Sequence, residues 1–186
     1  MRLKSLTSKH AGVVEVFDDV VPNSGGIIDY LERNAPWAYA KVGYGSGEVD
    51  SAIRNNSVTF IDPFDLYCAP ILREFAATVF RYIDDYGKRY DVGFQRMEHI
   101  NVNRYMPGEQ YHAHADAGPE QNREISALLY LNDVSEGGQT EFIHHGVTIS
   151  PRAGRLIIFP SNYAYAHAAH PPVSGIKYSA AFWTVR

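Results

Sequence analysis

From residue 97 onward the chain is cut into short alternating runs by Pro107-Gly108, Gly137-Gly138 and Ala153-Gly154. That spacing is the one expected of a double-stranded jelly roll, a barrel of brief strands. Upstream the pattern differs. Residues 13–17 read as a short strand and residues 24–33 as a helix that Asn23 or Ser24 can cap. Leu72, Phe75, Ala76, Val79, Phe80 and Ile83 mark one buried face of a longer helix, with Pro70 tolerable near its start. The expectation is one mainly β domain over residues 1–186, in which 1–95 supply strands and bracing helices and 96–186 the barrel. A chain of 186 residues that is 45% hydrophobic and 20% charged suits a single core of this kind.

The chemistry concentrates in Tyr111-His112-Ala113-His114-Ala115-Asp116. If this segment is extended, His114 and Asp116 project to the same side, because strand side chains alternate with period two. A His-x-Asp pair and a remote histidine can occupy one face of an iron octahedron and leave the other corners open. Downstream, Tyr165-Ala166-His167-Ala168-Ala169-His170 offers two candidates for the third ligand, His167 and His170. The run Gly175-Ile176-Lys177-Tyr178-Ser179-Ala180-Ala181-Phe182-Trp183 reads as a strand with Lys177, Ser179, Ala181 and Trp183 on one face. An inward lysine beside small residues is either an anchor for an anion or a side chain that snorkels to the surface. In residues 97–105, His99, Asn101, Asn103 and Tyr105 form a polar row, as expected of a strand facing an enclosed pocket or of an edge strand with one wet face.

Taken in order, Arg104-Tyr105-Met106-Pro107-Gly108-Glu109-Gln110-Tyr111, His114-Ala115-Asp116, Arg123 through Val134, Glu136-Gly137-Gly138-Gln139-Thr140-Glu141-Phe142, Pro151-Arg152-Ala153-Gly154, His167 and Lys177 make a set with characteristic spacing. The set resembles the prolyl 4-hydroxylase branch of the Fe(II)- and 2-oxoglutarate-dependent dioxygenases, from about residue 101 to 183. The resemblance implies His114, Asp116 and His167 as iron ligands, with His170 a bystander. Lys177 is then the partner of the distal carboxylate of 2-oxoglutarate, and Tyr105, Thr140 and Trp183 line the same pocket. It further implies that Arg123 and Tyr111 lie along the substrate groove. His112 is expected at the entrance or on the substrate face. The implied reaction is hydroxylation of a prolyl residue in a peptide or protein, with O2 as cosubstrate, release of succinate and CO2, and ascorbate as a possible reductant. Hydroxylation of free proline or another small molecule, and a noncatalytic 2-oxoglutarate-binding module, are the alternatives. Asp116 itself argues against halogenation, since related halogenases replace this carboxylate with a small residue.

The segment His112-Ala113-His114-Ala115-Asp116 also resembles the zinc motif of metallo-β-lactamase-like hydrolases, but Ala117 stands where that motif needs histidine. A net charge of −4 gives no electrostatic case for a nucleic-acid partner. Cys68 is the single cysteine and reads as a structural thiol. No long apolar stretch or signal-peptide pattern is evident, so no membrane partner and a cytoplasmic location are expected. Two loops are candidates for governing substrate choice: the glycine-rich residues 42–50, continuing to 56 as a possible lid, and residues 117–122 after the metal motif.

Overall fold

The computed structural model describes residues 3–42, 47–65, 67–119 and 121–186. In chain order the elements are β1 (Ser8–His10), β2 (Val14–Phe17), α1 (Ser24–Asn34), β3 (Ala38–Tyr39), β4 (Ser57–Ile61), α2 (Pro70–Tyr90), β5 (Arg96–Met97), β6 (Ile100–Tyr105) and β7 (Tyr111–His114). They continue with β8 (Arg123–Tyr130), β9 (Thr140–Phe142), β10 (Val147–Ile149), β11 (Leu156–Pro160), β12 (His167–Ala169) and β13 (Lys177–Val185). The large sheet runs β1-β2-β11-β8-β13-β6-β4-β3, with β5 added beside β13, and the small sheet runs β10-β9-β12-β7. These two antiparallel sheets form the expected jelly roll.

Two apolar clusters hold it together. The outer face of the large sheet packs on both helices through residues such as Ile27, Leu31, Phe75, Val79, Ile83, Val102 and Phe182. A smaller cluster, including Val16, Tyr130, Phe142, Ile157 and Phe159, fills one end of the space between the sheets. Helix α2 is the main brace. Its apolar positions recur at helical spacing, Pro70 opens it where a missing N–H costs nothing, and Phe75 meets Phe182 edge to face at 5.5 Å. Its last turns are tied to β2: Tyr86 Oη donates to the Val13 carbonyl at 2.8 Å, and the buried Glu15 carboxylate accepts from Tyr90 Oη at 2.8 Å and pairs with Arg89. Among the described residues no helix is long and apolar enough to cross a membrane.

Four local expectations change. Phe80, foreseen on the buried face of α2, is exposed and meets Phe94 edge to face. Asn23 occupies the cap position of α1 but makes no side-chain capping bond. The strand foreseen over 97–105 is interrupted, so that β5 pairs only with β13 whereas β6 bridges β13 and β4. The strand foreseen over 175–183 runs instead from Lys177 to Val185, with Gly175 left-handed before it.

The Gly137-Gly138 turn brings the chain against residues 171–173: Gly138 N donates to Pro171 O at 2.9 Å, and both glycines have positive φ. A Cβ on Gly137 would press on the Pro171 carbonyl oxygen and lie 2.8 Å from Val173 N. Gly146, also at positive φ, has open space around the same position. Gly137→Ala should therefore lower Tm by about 4–8 °C, and Gly146→Ala by less than half as much, in thermal unfolding followed by circular dichroism.

Candidate active site

Strands β7 and β12 pair in a register that sets His114 directly opposite His167. Directly opposed residues share a face, and the two imidazole centroids lie 4.5 Å apart. Asp116, two residues beyond His114, returns to the same side, with Oδ1 3.8 Å from His114 Nε2 and Oδ2 3.9 Å from His167 Nε2. One candidate ligand atom from each of the three side chains falls within 4.8 Å of the others. His170 is not in this cluster and instead pairs with Glu141 at 2.7 Å.

Each ligand candidate is oriented from behind. His114 Nδ1 lies 2.9 Å from His112 O, and His167 Nδ1 lies 3.2 Å from Tyr165 O. A carbonyl oxygen can only accept, so Nδ1 carries the proton and Nε2 presents a lone pair toward Asp116. Tyr111 stacks on the His114 ring at 3.6 Å. Ser126 Oγ donates to Asp116 Oδ2 at 2.6 Å and lies 2.8 Å from Ser161 Oγ. These serines were not singled out from the sequence. The available signal was the alternation of β8, which puts Ser126 on the cavity side amid apolar residues.

The electrostatics suit a cation. Burial, and then the neighbouring His167, lower the His114 pKa well below its ordinary value, which favours the neutral ring. Burial pushes Asp116 up, but the two histidines and the hydrogen bond from Ser126 outweigh it and hold the carboxyl below its usual value. Two imidazoles and one carboxylate on a shared face are the donor set for a divalent metal with open coordination positions.

The cluster opens onto a cavity of about 440 Å³ between the sheets, lined also by Tyr105, Tyr111, Arg123, Thr140, Lys177 and Trp183. Lys177 does not snorkel. It is 1% exposed, and its Nζ has no hydrogen-bond partner among the described residues. Around it are the faces of Tyr105, with the ring centroid at 4.9 Å, and Tyr130 at 5.5 Å. Burial alone lowers its pKa to about 7. A lone ammonium in such a place is costly unless an anion joins it, so the cavity fits a ligand that carries a carboxylate to this end. Tyr130 Oη lies 2.6 Å from Thr140 Oγ1 and 3.1 Å from the Ile149 carbonyl oxygen, which holds the threonine hydroxyl at the cavity wall. The sequence assigns Tyr130 no role, because its aromatic character alone reads as core.

The remaining sequence expectations separate. Arg123 stacks over Trp183, pairs with Glu98 at 2.6 Å and reaches the Asp116 carbonyl at 3.3 Å. His112 is not brought into the cavity. It is exposed on the opposite side of β7 from His114 and lies 3.2 Å from Gln110 Nε2. Its place follows from period two, since the residue between two inward positions faces out. Residues 43–46 and Glu120 lie outside the described residues. Residues 53–55 of the possible lid are annealed beside β7: His112 N donates to Ile53 O at 2.9 Å, and Gln110 N to Asn55 Oδ1 at 2.6 Å. That pairing carries Arg54 over the Tyr111 ring at 4.5 Å, with Nη2 2.6 Å from Asn103 Oδ1.

A jelly roll whose inner face carries two histidines and a carboxylate at one end of a cavity, and a buried lone lysine in its wall, has the architecture of a metal- and keto-acid-dependent oxygenase. Residues 100–185 match the model of the 2OG-Fe(II) oxygenase superfamily. Over 104 residues it is 33% identical to prolyl 4-hydroxylase subunit alpha-1 of Gallus gallus, a match covering 46% of this chain and 20% of that protein. The chain spans less than two thirds of the length of the curated relatives it matches. The viral collagen prolyl hydroxylase of Paramecium Bursaria Chlorella virus-1 shares the fold with a TM-score of 0.72 at 20% identity, over 94% of this chain and 96% of that one. A Trichoplax adhaerens prolyl hydroxylase, solved with a hypoxia inducible factor peptide, shares it with a TM-score of 0.78 at 17% identity, over 94% and 84%.

Lys177 yields a prediction with a definite sign. Its folded pKa of about 7 lies below the ordinary 10.5, so between these values the unfolded chain holds the extra proton and folding gains stability as pH rises. Lys177→Met should therefore raise the Tm of the ligand-free protein at neutral pH, and the difference should shrink toward pH 10. Binding a carboxylate needs the protonated amine. The affinity of the wild-type protein for 2-oxoglutarate should thus fall as pH climbs above 7, by up to about tenfold per unit, whereas the variant binds weakly at every pH. Calorimetric titration across pH checks both.

Proposed function

We propose that the chain is an Fe(II)- and 2-oxoglutarate-dependent dioxygenase that hydroxylates a prolyl residue in a peptide or protein. The observation that carries this reading is the pairing, in one cavity, of the His114–Asp116–His167 cluster with the buried and unpartnered Lys177 ammonium. A bare metal-dependent hydrolase has no use for the second feature. The prolyl substrate is supported by the relatives, all of whose names reported above are prolyl hydroxylases.

His114, Asp116 and His167 would hold the iron, and Lys177 would meet the far carboxylate of 2-oxoglutarate through a charge-assisted hydrogen bond, helped by Thr140. When bound, iron with 2-oxoglutarate and O2 supplies oxidative decarboxylation, giving succinate and CO2, coupled to insertion of oxygen into a C–H bond. The chain's own residues orient and enclose. Ser126 fixes which Asp116 oxygen remains available, and the Nδ1 bonds aim both imidazoles. Tyr105, buried so that its pKa rises to about 12, keeps its phenol proton and lines the cosubstrate end. Arg54 and Tyr111 close one wall, and Arg123, packed on Trp183, stands where a peptide would enter.

Anaerobic titration with Fe(II) and 2-oxoglutarate should produce the weak visible charge-transfer band of a chelated keto acid. Oxygen and a panel of proline-containing peptides, with ascorbate present, should then give succinate and a peptide heavier by one oxygen atom. Hydroxylation of free L-proline alone would replace the peptide reading, and absence of the band in iron-replete protein would overturn the cofactor assignment. Asp116→Ala should abolish turnover, while Ser126→Ala should keep the fold and weaken iron affinity by about 10–100-fold.

A further inference from the structure

The cavity-facing side of the large sheet continues beyond the part that the small sheet covers. On β4, Val58 and Phe60 stand opposite Asn103 and Asn101 of β6, and opposed residues share a face. Asn103 and Asn101 both line the active-site cavity, so Val58 and Phe60 project from the same side of the sheet. Val58 is 4% exposed, whereas Phe60, two residues on, is 63% exposed. The cover therefore ends between them and leaves an aromatic ring exposed on the inner face of a barrel.

That ring borders a second, open depression of about 470 Å³, lined by Phe60, Phe64, Arg96, His99 and Glu98, with Asn101 and Arg123 shared with the catalytic cavity. Phe64 is 72% exposed. The two hollows meet at those shared side chains, so a chain leaving one enters the other. The charges around the depression are mostly matched: Glu98 pairs with Arg123 at 2.6 Å, and His99 lies 3.4 Å from Asp62. Arg96 is exposed, and no ion pair or hydrogen bond of its side chain occurs among the described residues. The shelf thus offers two aromatic faces and one unmatched positive charge, continuous with the site of chemistry.

We propose that this shelf is a docking subsite for substrate residues that flank the target proline, taking a large apolar side chain against Phe60 and Phe64 and an acidic side chain against Arg96. The inference rests on the peptide-hydroxylase reading above and adds the chemistry of the sequence around the proline. An extended peptide advances about 3.3 Å per residue and neighbouring strands are about 4.8 Å apart. Phe60, one strand from Asn101, is accordingly reached within a few residues of a proline held in the cavity. Because Phe60, Phe64 and Arg96 lie outside the metal cluster and outside both apolar cores, truncating them leaves the fold and the cosubstrate site intact.

Binding and turnover are to be measured separately. The probes are acetyl-Gly-Pro-Gly-amide and two nine-residue peptides with a central proline, one carrying Leu-Asp before it and one carrying Leu-Asp after it. Affinity is read anaerobically with Fe(II) and 2-oxoglutarate bound, and hydroxylation is read after adding O2. The proposal expects one nine-residue peptide to bind at least about tenfold more tightly than the tripeptide. Phe60→Ala and Arg96→Ala should each remove most of that advantage while leaving tripeptide affinity and the charge-transfer band unchanged. Equal affinity of wild type and both variants for all three peptides, or no binding of the longer peptides, would overturn it. Phe60-dependent binding of a long peptide that is never hydroxylated would support the shelf and refute the prolyl hydroxylase reading instead.

Discussion

The pairing register of β7 with β12 is the constraint on which the rest of the site depends. It sets His114 against His167, and because strand side chains alternate, a slip of one residue would turn one imidazole out of the barrel. The same alternation returns Asp116 to the inside and sends His112 to the surface. The register is held from several directions. β12 also pairs with β9, Phe142 and Phe159 pack around the His167 ring, and residues 53–55 anneal to the outer edge of β7. A metal cluster built on paired strands, with backbone carbonyls and Ser126 aiming the ligands, is rigid before any ion arrives.

Lys177 shows the opposite economy, in which a stabilising arrangement is given up for binding. Its β13 neighbours on the cavity side are Ser179 and Ala181, which leave space, and the surrounding tyrosines offer ring faces rather than carboxylates. A carboxylate from the protein would neutralise the ammonium and occupy the place of a ligand. On the proposed reading, the unmet charge would give selectivity for an anion, at a cost to the ligand-free fold that the helices and two apolar clusters absorb.

The two hydrophobic clusters divide the labour. The larger one joins α1 and α2 to the outer face of the large sheet, whose inner face carries the polar row Asn101, Asn103, Tyr105, Lys177 and Ser179. The smaller one closes only one end of the interior. The other end stays open as cavity and then as shelf, with Arg123 and Asn101 common to both.

Much of this was legible in the sequence, because period-two alternation and turn residues are local signals. They mark the jelly roll from residue 97, the helical brace around Leu72 to Ile83, the common side of His114 and Asp116, and the inward row from Lys177 to Trp183. The choice between His167 and His170 was not legible from alternation or spacing. Both follow a turn at suitable distance, and only the partner strand decides that His167 faces His114 while His170 meets Glu141. Nor could the sequence determine that Lys177 is unpaired among the described residues, that Tyr130 meets the Thr140 hydroxyl, that Ser126 holds Asp116, or that Phe60 is exposed. Those properties depend on which residues from distant strands stand opposite one another and on where the small sheet stops. A one-dimensional pattern fixes which side a residue faces, and three-dimensional packing alone decides what it meets there.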